Sequence, residues 1–209
     1  MSSPFNILFI TRNVLIALVI GGFGGMGFIL FLIEFDHHTS SEEFCTTCHS
    51  MELVALPYRQ SSHYNPESGV RASCGDCHVS EGVLMATWDH TMGSKDLFKQ
   101  LFSSVDYDDP VENLLHLPQA AFAAREWFRA RQSSTCSRCH TLEAIMGDRP
   151  AIAQIHREES GGKSCVDCHI NLVHRPVPSR KTFNQERWNR MVEEEFNLAT
   201  GEAAKRLAP

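Results

Sequence analysis

Three features are scarce in this 209-residue chain, and each scarcity excludes a class of protein. No cysteine lies outside four Cys-x-x-Cys-His segments, so none of the eight is left to form a disulfide. Basic residues form no stripe and the net charge is −6, which argues against a nucleic-acid partner. Few stretches alternate polar and apolar residues, so an extensive β-sheet is not expected. The sequence therefore predicts a mainly α-helical fold with extensive loops.

One long run without charge is present near the N-terminus. Residues 14–33 carry no charged side chain, and twenty helical residues span about 30 Å, the thickness of a bilayer's hydrocarbon core. A cleavable signal peptide is the main alternative, but its apolar region would be only about 7–15 residues long and would end at an Ala-x-Ala-like site. No such site follows Ile33. We expect residues 14–33 to be an uncleaved transmembrane anchor.

The charges beside this run predict its orientation. Arg12 precedes it, whereas Glu34 and Asp36 follow it, and positive residues tend to stay on the cytoplasmic side. This places residues 1–13 in the cytoplasm and the bulk of the chain in the periplasm. The expected location is the bacterial inner (cytoplasmic) membrane, crossed once.

The remaining chain contains an internal duplication. Cys45 and Cys74 are 29 residues apart, and so are Cys136 and Cys165. Each half also holds one further histidine shortly before its second motif. The expected organisation is one periplasmic domain (34–178) with halves at about 40–81 and 132–175, a helical connector (82–131) and a C-terminal helical tail (179–209).

The four Cys-x-x-Cys-His segments predict covalent attachment of four c-type haems. Two thioether bonds and one axial histidine bind each macrocycle, which requires this spacing. Zinc ribbons also use Cys-x-x-Cys pairs, but they do not require a histidine after every second cysteine. The attachment residues are Cys45, Cys48, Cys74, Cys77, Cys136, Cys139, Cys165 and Cys168, and the adjoining histidines are His49, His78, His140 and His169.

Each iron also needs a second ligand or an open position. His63 and His156 occupy matching places in the two halves, and His174 lies five residues after the last motif histidine. Neutral imidazole is a common ligand of haem iron, so all three are candidates. The first motif continues as CTTCHSM, which makes the Met51 thioether a candidate as well, although a plain packing role is equally compatible with its spacing.

Several longer segments resemble the NapC/NirT/NrfH family of membrane-anchored tetrahaem cytochromes, which includes the CymA-type proteins. The resemblance extends from the anchor to about Pro178. It lies in CHSM, SSHYNPESGVRASCGDCH, GSKDLF, REWFRARQSSTCSRCH and CVDCHINLVHRP. It implies a compact periplasmic domain built from two dihaem halves, and the activity of a quinol dehydrogenase.

The resemblance also implies a set of axial ligands. In the NrfH-like members the methionine after the first motif replaces the motif histidine, which carries to Met51, with His49 as the alternative, and an aspartate near the other face carries to Asp96. The implied pairs for the other haems are His78 with His174 for haem 2, His140 with His63 for haem 3, and His169 with His156 for haem 4. NrfH-like members lack the last histidine, so its presence resembles the NapC, NirT and CymA members.

A quinol site beside the first haem is implied in the same way. Several family members carry a lysine one or two turns before the aspartate, whereas this chain has Asp89 and His90 there. Quinol oxidation releases two protons, so Asp89, His90 or Asp96 could act as a base. The alternative for such residues is a solvated charged helix face.

The expected function is oxidation of membrane menaquinol or ubiquinol and relay of electrons through four haems to a periplasmic reductase or other redox partner. One alternative is a terminal reductase of a small nitrogen or sulfur compound. Another is a haem-bearing anchor subunit of a reductase complex. A homo-oligomer and a stable complex with the reductase both remain open.

Overall fold

The computed structural model describes residues 4–145, 149–158 and 161–208 as helices joined by turns and loops. These residues contain no β-strand, which confirms the predicted fold class. The α-helices are α1 (Pro4–Thr39), α2 (Glu42–Cys45), α3 (His49–Arg59), α4 (Cys74–His78), α5 (Val83–Phe102), α6 (Pro110–Ala130), α7 (Pro150–Glu158), α8 (Gln185–Glu195) and α9 (Glu202–Arg206). Short 3-10 helices occur at Cys136–Arg138 and Cys165–Asp167.

Helix α1 contains the predicted apolar run. Its segment Thr11–Thr39 is long enough to cross a membrane, and the most apolar 18 residues of that segment have a mean hydropathy of 2.4 and are not buried against the rest of the protein. The helix has 36 residues, so it is about 54 Å long at 1.5 Å per residue. The helix continues through the polar stretch beyond Ile33 and ends at Thr39, whose hydroxyl oxygen lies 2.8 Å from the Phe35 carbonyl oxygen.

A compact apolar cluster joins the connector helix to the C-terminal tail. Leu114, Leu115 and Phe122 of α6 pack against Trp188 and Val192 of α8, all of them buried. The indole Nε1 of Trp188 also donates to the Leu114 carbonyl at 3.0 Å. The tail is therefore packed into the same body as the connector, because its apolar face closes this cluster.

The region around the Cys-x-x-Cys-His segments is packed differently. Met51, Leu56, Leu142 and Leu172 all lie in it and are 42–50% exposed. Large apolar side chains left uncovered in one region mark a surface that something apolar can cover. This portion of the chain therefore presents large apolar side chains that the described residues leave partly uncovered.

Candidate haem centre

The second motif of each half is built in the same way. Ser73 caps α4 and exchanges hydrogen bonds with Asp76, and Ser164 does the same with Asp167 at the start of its 3-10 helix. A serine cap with an acidic residue three positions later satisfies two free N–H groups of a helix start. The shared sequences SCGDCH and SCVDCH carry this signal, which the spacing of the cysteines alone does not reveal.

The first cysteines of the two motifs lie side by side within each half. Interaction between the neighbouring thiols of Cys45 and Cys74 lowers the pKa of Cys45 to about 7 and raises that of Cys74. In the second half, burial raises the pKa of Cys136, and neighbouring Cys165 raises it further. These values describe the thiols before any attachment. The same contact therefore brings two attachment points together in each of the predicted halves.

Helix α1 is joined directly to the first half. The Gly75 N–H donates to the Ser40 carbonyl at 3.0 Å. A Cβ on Gly75 would collide with Ser40 Cβ and lie 2.8 Å from its carbonyl oxygen. The first variable position of this Cys-x-x-Cys-His segment must therefore be glycine, because the end of the apolar helix occupies the space of a side chain.

Three pairs of histidine rings face each other. The ring centroids of His78 and His174 are 6.0 Å apart, and those of His63 and His140 are 6.1 Å apart. The centroids of His156 and His169 are 6.3 Å apart. The planes within the three pairs differ by 38°, 66° and 12°, in that order. Each pair joins one motif histidine to one of the other candidate histidines.

These separations match the spacing of two imidazoles on opposite faces of one metal ion. A metal–imidazole bond is about 2.0–2.1 Å long. Ring bonds of about 1.3–1.4 Å place the nitrogen about 1.15 Å from the ring centroid. Two imidazoles on a straight line through the metal therefore have ring centroids about 6.3 Å apart. The three ring pairs therefore fit bis-histidine ligation of haem iron.

Burial favours the neutral form of three of the six rings. Burial lowers the pKa of His78 to about 4, and it also lowers the pKa values of His174 and His63. Neutral imidazole is the form that ligates iron. His174 and His156 each place Nδ1 about 3 Å from a carbonyl oxygen, of Val54 and Ile152 respectively. A hydrogen bond at Nδ1 fixes the ring and leaves Nε2 for the metal.

The ring of His63 lacks such a partner. Its Nδ1 is buried, and in the part of the chain that the structure describes it has no hydrogen-bond partner. A buried polar atom without a partner costs about 1–3 kcal/mol. The packing around the His63 ring therefore holds it beside His140 although its Nδ1 makes no hydrogen bond within the described residues.

Arg125 holds the loop that carries His174. Its guanidinium is buried and donates to the carbonyl oxygens of Ile170, Val177 and Pro178. It also donates to the side-chain oxygen of Asn171 at 3.2 Å. These acceptors lie on both sides of His174 in the chain. The Arg125 guanidinium therefore holds the two ends of this loop together and so helps to fix the position of the His174 ring.

The first motif has no such ring pair in the described residues. His49 is exposed at the start of α3, and Met51 is 42% exposed. The Asp96 side chain on α5 is 80% exposed, and its carboxylate lies 3.1 Å from Lys99 Nζ. The structure therefore leaves Met51, His49 and Asp96 as candidate ligands of the first haem without choosing among them.

His90 connects α5 to the end of α1. Its Nε2 lies 2.9 Å from the Thr39 hydroxyl, and its Nδ1 lies 2.9 Å from the Ala86 carbonyl and 3.6 Å from Asp36. The Thr39 carbonyl is 4.0 Å from Cys45 Sγ. His90 thus lies between the end of the apolar helix and the first attachment site. Sequence reasoning missed Asp36 and Thr39 here, because their contact with His90 spans about fifty residues of chain.

Asp89 is bound differently from its neighbour. Its carboxylate accepts the Ser80 N–H at 2.8 Å and pairs with Arg131 at 3.0 Å, and its side chain is only 7% exposed. It is therefore not part of a solvated charged face. The carboxylate fixes the segment after the second motif to the end of α6.

Comparisons with known proteins agree with this construction. A model of the NapC/NirT cytochrome c family, N-terminal region, matches residues 10–194. The chain is 32% identical over 166 residues to the cytochrome c-type protein TorY of Escherichia coli O157:H7, covering 78% of this chain and 44% of TorY. It is 35% identical over 159 residues to a probable tetraheme cytochrome c-type protein of Nitrosomonas europaea, covering 73% and 66% of the two chains.

A third relative is matched over more of its length. The cytochrome c-type protein NapC of Escherichia coli K12 is 31% identical over 164 residues, which is 76% of this chain and 80% of NapC. By contrast, the chain spans about two fifths of the TorY and TorC relatives that it matches. No solved structure matches. Four attachment motifs, facing imidazoles and a family match over most of the chain together show that the protein belongs to the NapC/NirT family of c-type cytochromes, which carry covalently bound haem and transfer electrons.

Proposed function

We propose that this protein carries four haems, oxidises membrane quinol at the end of α1 and passes the electrons to a periplasmic redox partner. The observation that carries the proposal is the set of three ring pairs at 6.0–6.3 Å. The relative from Nitrosomonas europaea that is named as a probable tetraheme protein supports the number of haems. An apolar helix that could span a membrane supports access to quinol.

The ring pairs supply three of the four ligand sets. His78 with His174 would hold the second haem, His140 with His63 the third, and His169 with His156 the fourth. Met51, with Asp96 near the opposite face, or His49 in place of Met51, would hold the first. When bound, each haem supplies one-electron transfer at its iron. The protein supplies axial ligands, spacing and a buried environment.

Adjacent cysteines predict how the haems are grouped. Because Cys45 lies against Cys74 and Cys136 against Cys165, each half holds its two macrocycles close together. The second motif also contacts the third, since Arg138 donates to the Val79 carbonyl at 2.5 Å. Electrons entering at the first motif would therefore have a continuous route to the fourth.

His90 is the best-placed base for the protons of quinol oxidation. In its neutral form it donates from Nδ1 to Ala86 and accepts at Nε2 from the Thr39 hydroxyl. That hydroxyl also lies 2.8 Å from the Phe35 carbonyl, so it can turn there and leave Nε2 to take a proton. Asp36, 3.6 Å away, would then face the imidazolium as a counter-charge.

Asp89 and Asp96 are less suited to this role. The two partners of Asp89 hold its carboxylate, so we assign it a positioning function. Asp96 is largely accessible to water and stays a candidate only through its place near the first haem. The protons leave toward the outer side of the membrane in this scheme, because His90 lies beyond the apolar run of α1.

The experiment is reduction of the purified holoprotein by a menaquinol analogue, followed at the haem α band. The parent protein is expected to be reduced by the quinol. His90→Gln should slow this reduction by about 10²–10⁴-fold, the usual loss on removing a general base. The matched control is His37→Gln, which changes an exposed histidine near the end of α1 that His90 contacts, and it should keep the parent rate.

Each part of the proposal can fail separately. Reduction by dithionite but not by quinol in the parent protein would refute quinol oxidation. An unchanged quinol rate in His90→Gln would refute the proton role alone. A mature polypeptide without four added haem masses in mass spectrometry would refute the haem count.

A further inference from the structure

The C-terminal half of α5 carries an apolar face that the proposed function does not use. Leu97, Phe98, Leu101 and Phe102 are 52%, 58%, 63% and 78% exposed. Their spacing places them on one side of the helix, and the ring centroids of Phe98 and Phe102 are stacked 6.1 Å apart. Lys95 and Lys99 lie on the adjoining side. An exposed leucine and phenylalanine face beside lysines is the composition of helices that lie in a membrane interface.

The path of α5 brings this face toward the bilayer. The helix begins a few residues after the second motif, which is fixed to Ser40 beyond the end of α1. Seven residues later, His90 contacts Phe35, Asp36 and Thr39. The chain has therefore turned back along α1 by the level of His90.

The covered positions on the two helices also indicate that α5 runs back along α1. On α1 the covered positions are Thr39, Asp36 and then Leu32, which is partly covered although its neighbours in the apolar run are exposed. On α5 the covered positions at this four-residue spacing are Ala86, His90 and then Ser94. Because α5 contacts α1 more extensively than α2 does, a helix running back along α1 would bring Ser94 to the level of Leu32.

Distances along the helices place the apolar face at the bilayer surface. Phe98 and Phe102 lie eight and twelve residues beyond His90, or about 12–18 Å along α5. The apolar run of α1 ends at Ile33, six residues or about 9 Å inward of Thr39. A helix running back beside α1 therefore reaches the outer edge of the hydrocarbon region within this segment.

We propose that the segment 95–102 of α5 is a second membrane-binding element, which inserts Leu97, Phe98, Leu101 and Phe102 into the outer leaflet and holds Lys95 and Lys99 at the lipid headgroups. Its partner is the lipid surface in which α1 is anchored. Continuity with the α1–α5 contact favours lipid over a second protein, because the face lies beside the spanning helix. The apolar side chains would be buried to a depth of about 5–10 Å.

The test is the reactivity of single introduced cysteines in the full-length holoprotein in liposomes. Phe98→Cys and Phe102→Cys are compared with Gln100→Cys, a position of the same helix on its polar side. The proposed haem attachment consumes all eight native thiols, so the parent protein should show no labelling. Labelling of the parent would report failure of that attachment rather than of membrane binding.

A charged, water-soluble maleimide distinguishes the outcomes. The thiols of Phe98→Cys and Phe102→Cys should react about an order of magnitude more slowly than that of Gln100→Cys, and a membrane-partitioning maleimide should reverse this order. Haem spectra of all three variants should equal that of the parent, since the positions are exposed or partly exposed. Equal reactivity of the three thiols toward the soluble reagent would overturn the proposal. Protection of the first two thiols that persists in detergent and depends on protein concentration would overturn it as well, and would assign the face to a second copy.

Discussion

The ring pairs make a spectroscopic prediction that separates the three bis-histidine haems. The angle between two imidazole planes controls how the iron d orbitals split. Nearly parallel rings, as in the pair at 12°, give a rhombic low-spin signal. Strongly crossed rings, as in the pair at 66°, give a much more anisotropic one. The pair at 38° should lie between them.

The sharpest perturbation is His63→Ala, which removes one ring of the most crossed pair. The ring centroids of His63 and His140 are 6.1 Å apart, and the side chain of alanine at position 63 carries no nitrogen that could bind an iron between them. One of three bis-histidine sites is lost, so about one third of the low-spin intensity should disappear. The lost third should be the most anisotropic signal, with high-spin intensity appearing in its place.

Electron paramagnetic resonance of the oxidised protein measures this directly. Added imidazole should fill the space of the missing ring and restore the low-spin signal. His37→Ala is the matched control and should leave the spectrum unchanged, because that ring is exposed and faces no motif histidine in the described structure. Loss of the rhombic signal instead, or no loss of low-spin intensity, would refute the pairing of His63 with His140.

Four further substitutions test the apolar cluster, the loop of His174, the contact at Gly75 and the ligand of the first haem. Trp188→Ala should lower the free energy of unfolding by about 3–5 kcal/mol, seen in denaturant titration of the holoprotein, while leaving the haem spectrum unchanged. Arg125→Met should destabilise by at least about 3 kcal/mol and convert part of the second haem to high spin, because it releases the loop of His174. Gly75→Ala should reduce the yield of tetrahaem protein measured by mass spectrometry, because its methyl group collides with the end of α1. Met51→His should convert the first haem toward low spin if the thioether binds it, and an unchanged resonance spectrum would count against that ligand.

Local patterns in the sequence were enough to predict much of the architecture. Helical content follows from the lack of alternating patterns, and the apolar helix follows from the length of one uncharged run. The equal 29-residue spacings indicated a duplication, and the first cysteines of the two motifs lie close together in each half, but the division into two halves stays a prediction. The ring pairs place together the histidines that the family resemblance had paired, and their ligation of iron stays a prediction.

Contacts between distant residues could not be predicted in the same way. Asp89 was one of three possible bases, but its partner Arg131 is 42 residues away and no local periodicity indicates that ion pair. Arg125 acts through carbonyl oxygens 45–53 residues later, and backbone acceptors leave no mark in a sequence. The exposed face of α5 was also unexpected, since its leucines and phenylalanines have the spacing of an ordinary buried helix.

The contact between Gly75 and Ser40 has a consequence for how the protein meets its partners. Any swivelling of the first half about the membrane helix would separate the Gly75 nitrogen from the Ser40 oxygen, now 3.0 Å apart. The orientation of the redox domain is then fixed by the tilt of one continuous rod of 36 residues. In the proposed function, a soluble acceptor would therefore come to a surface that diffuses only in two dimensions and presents a constant side to the periplasm.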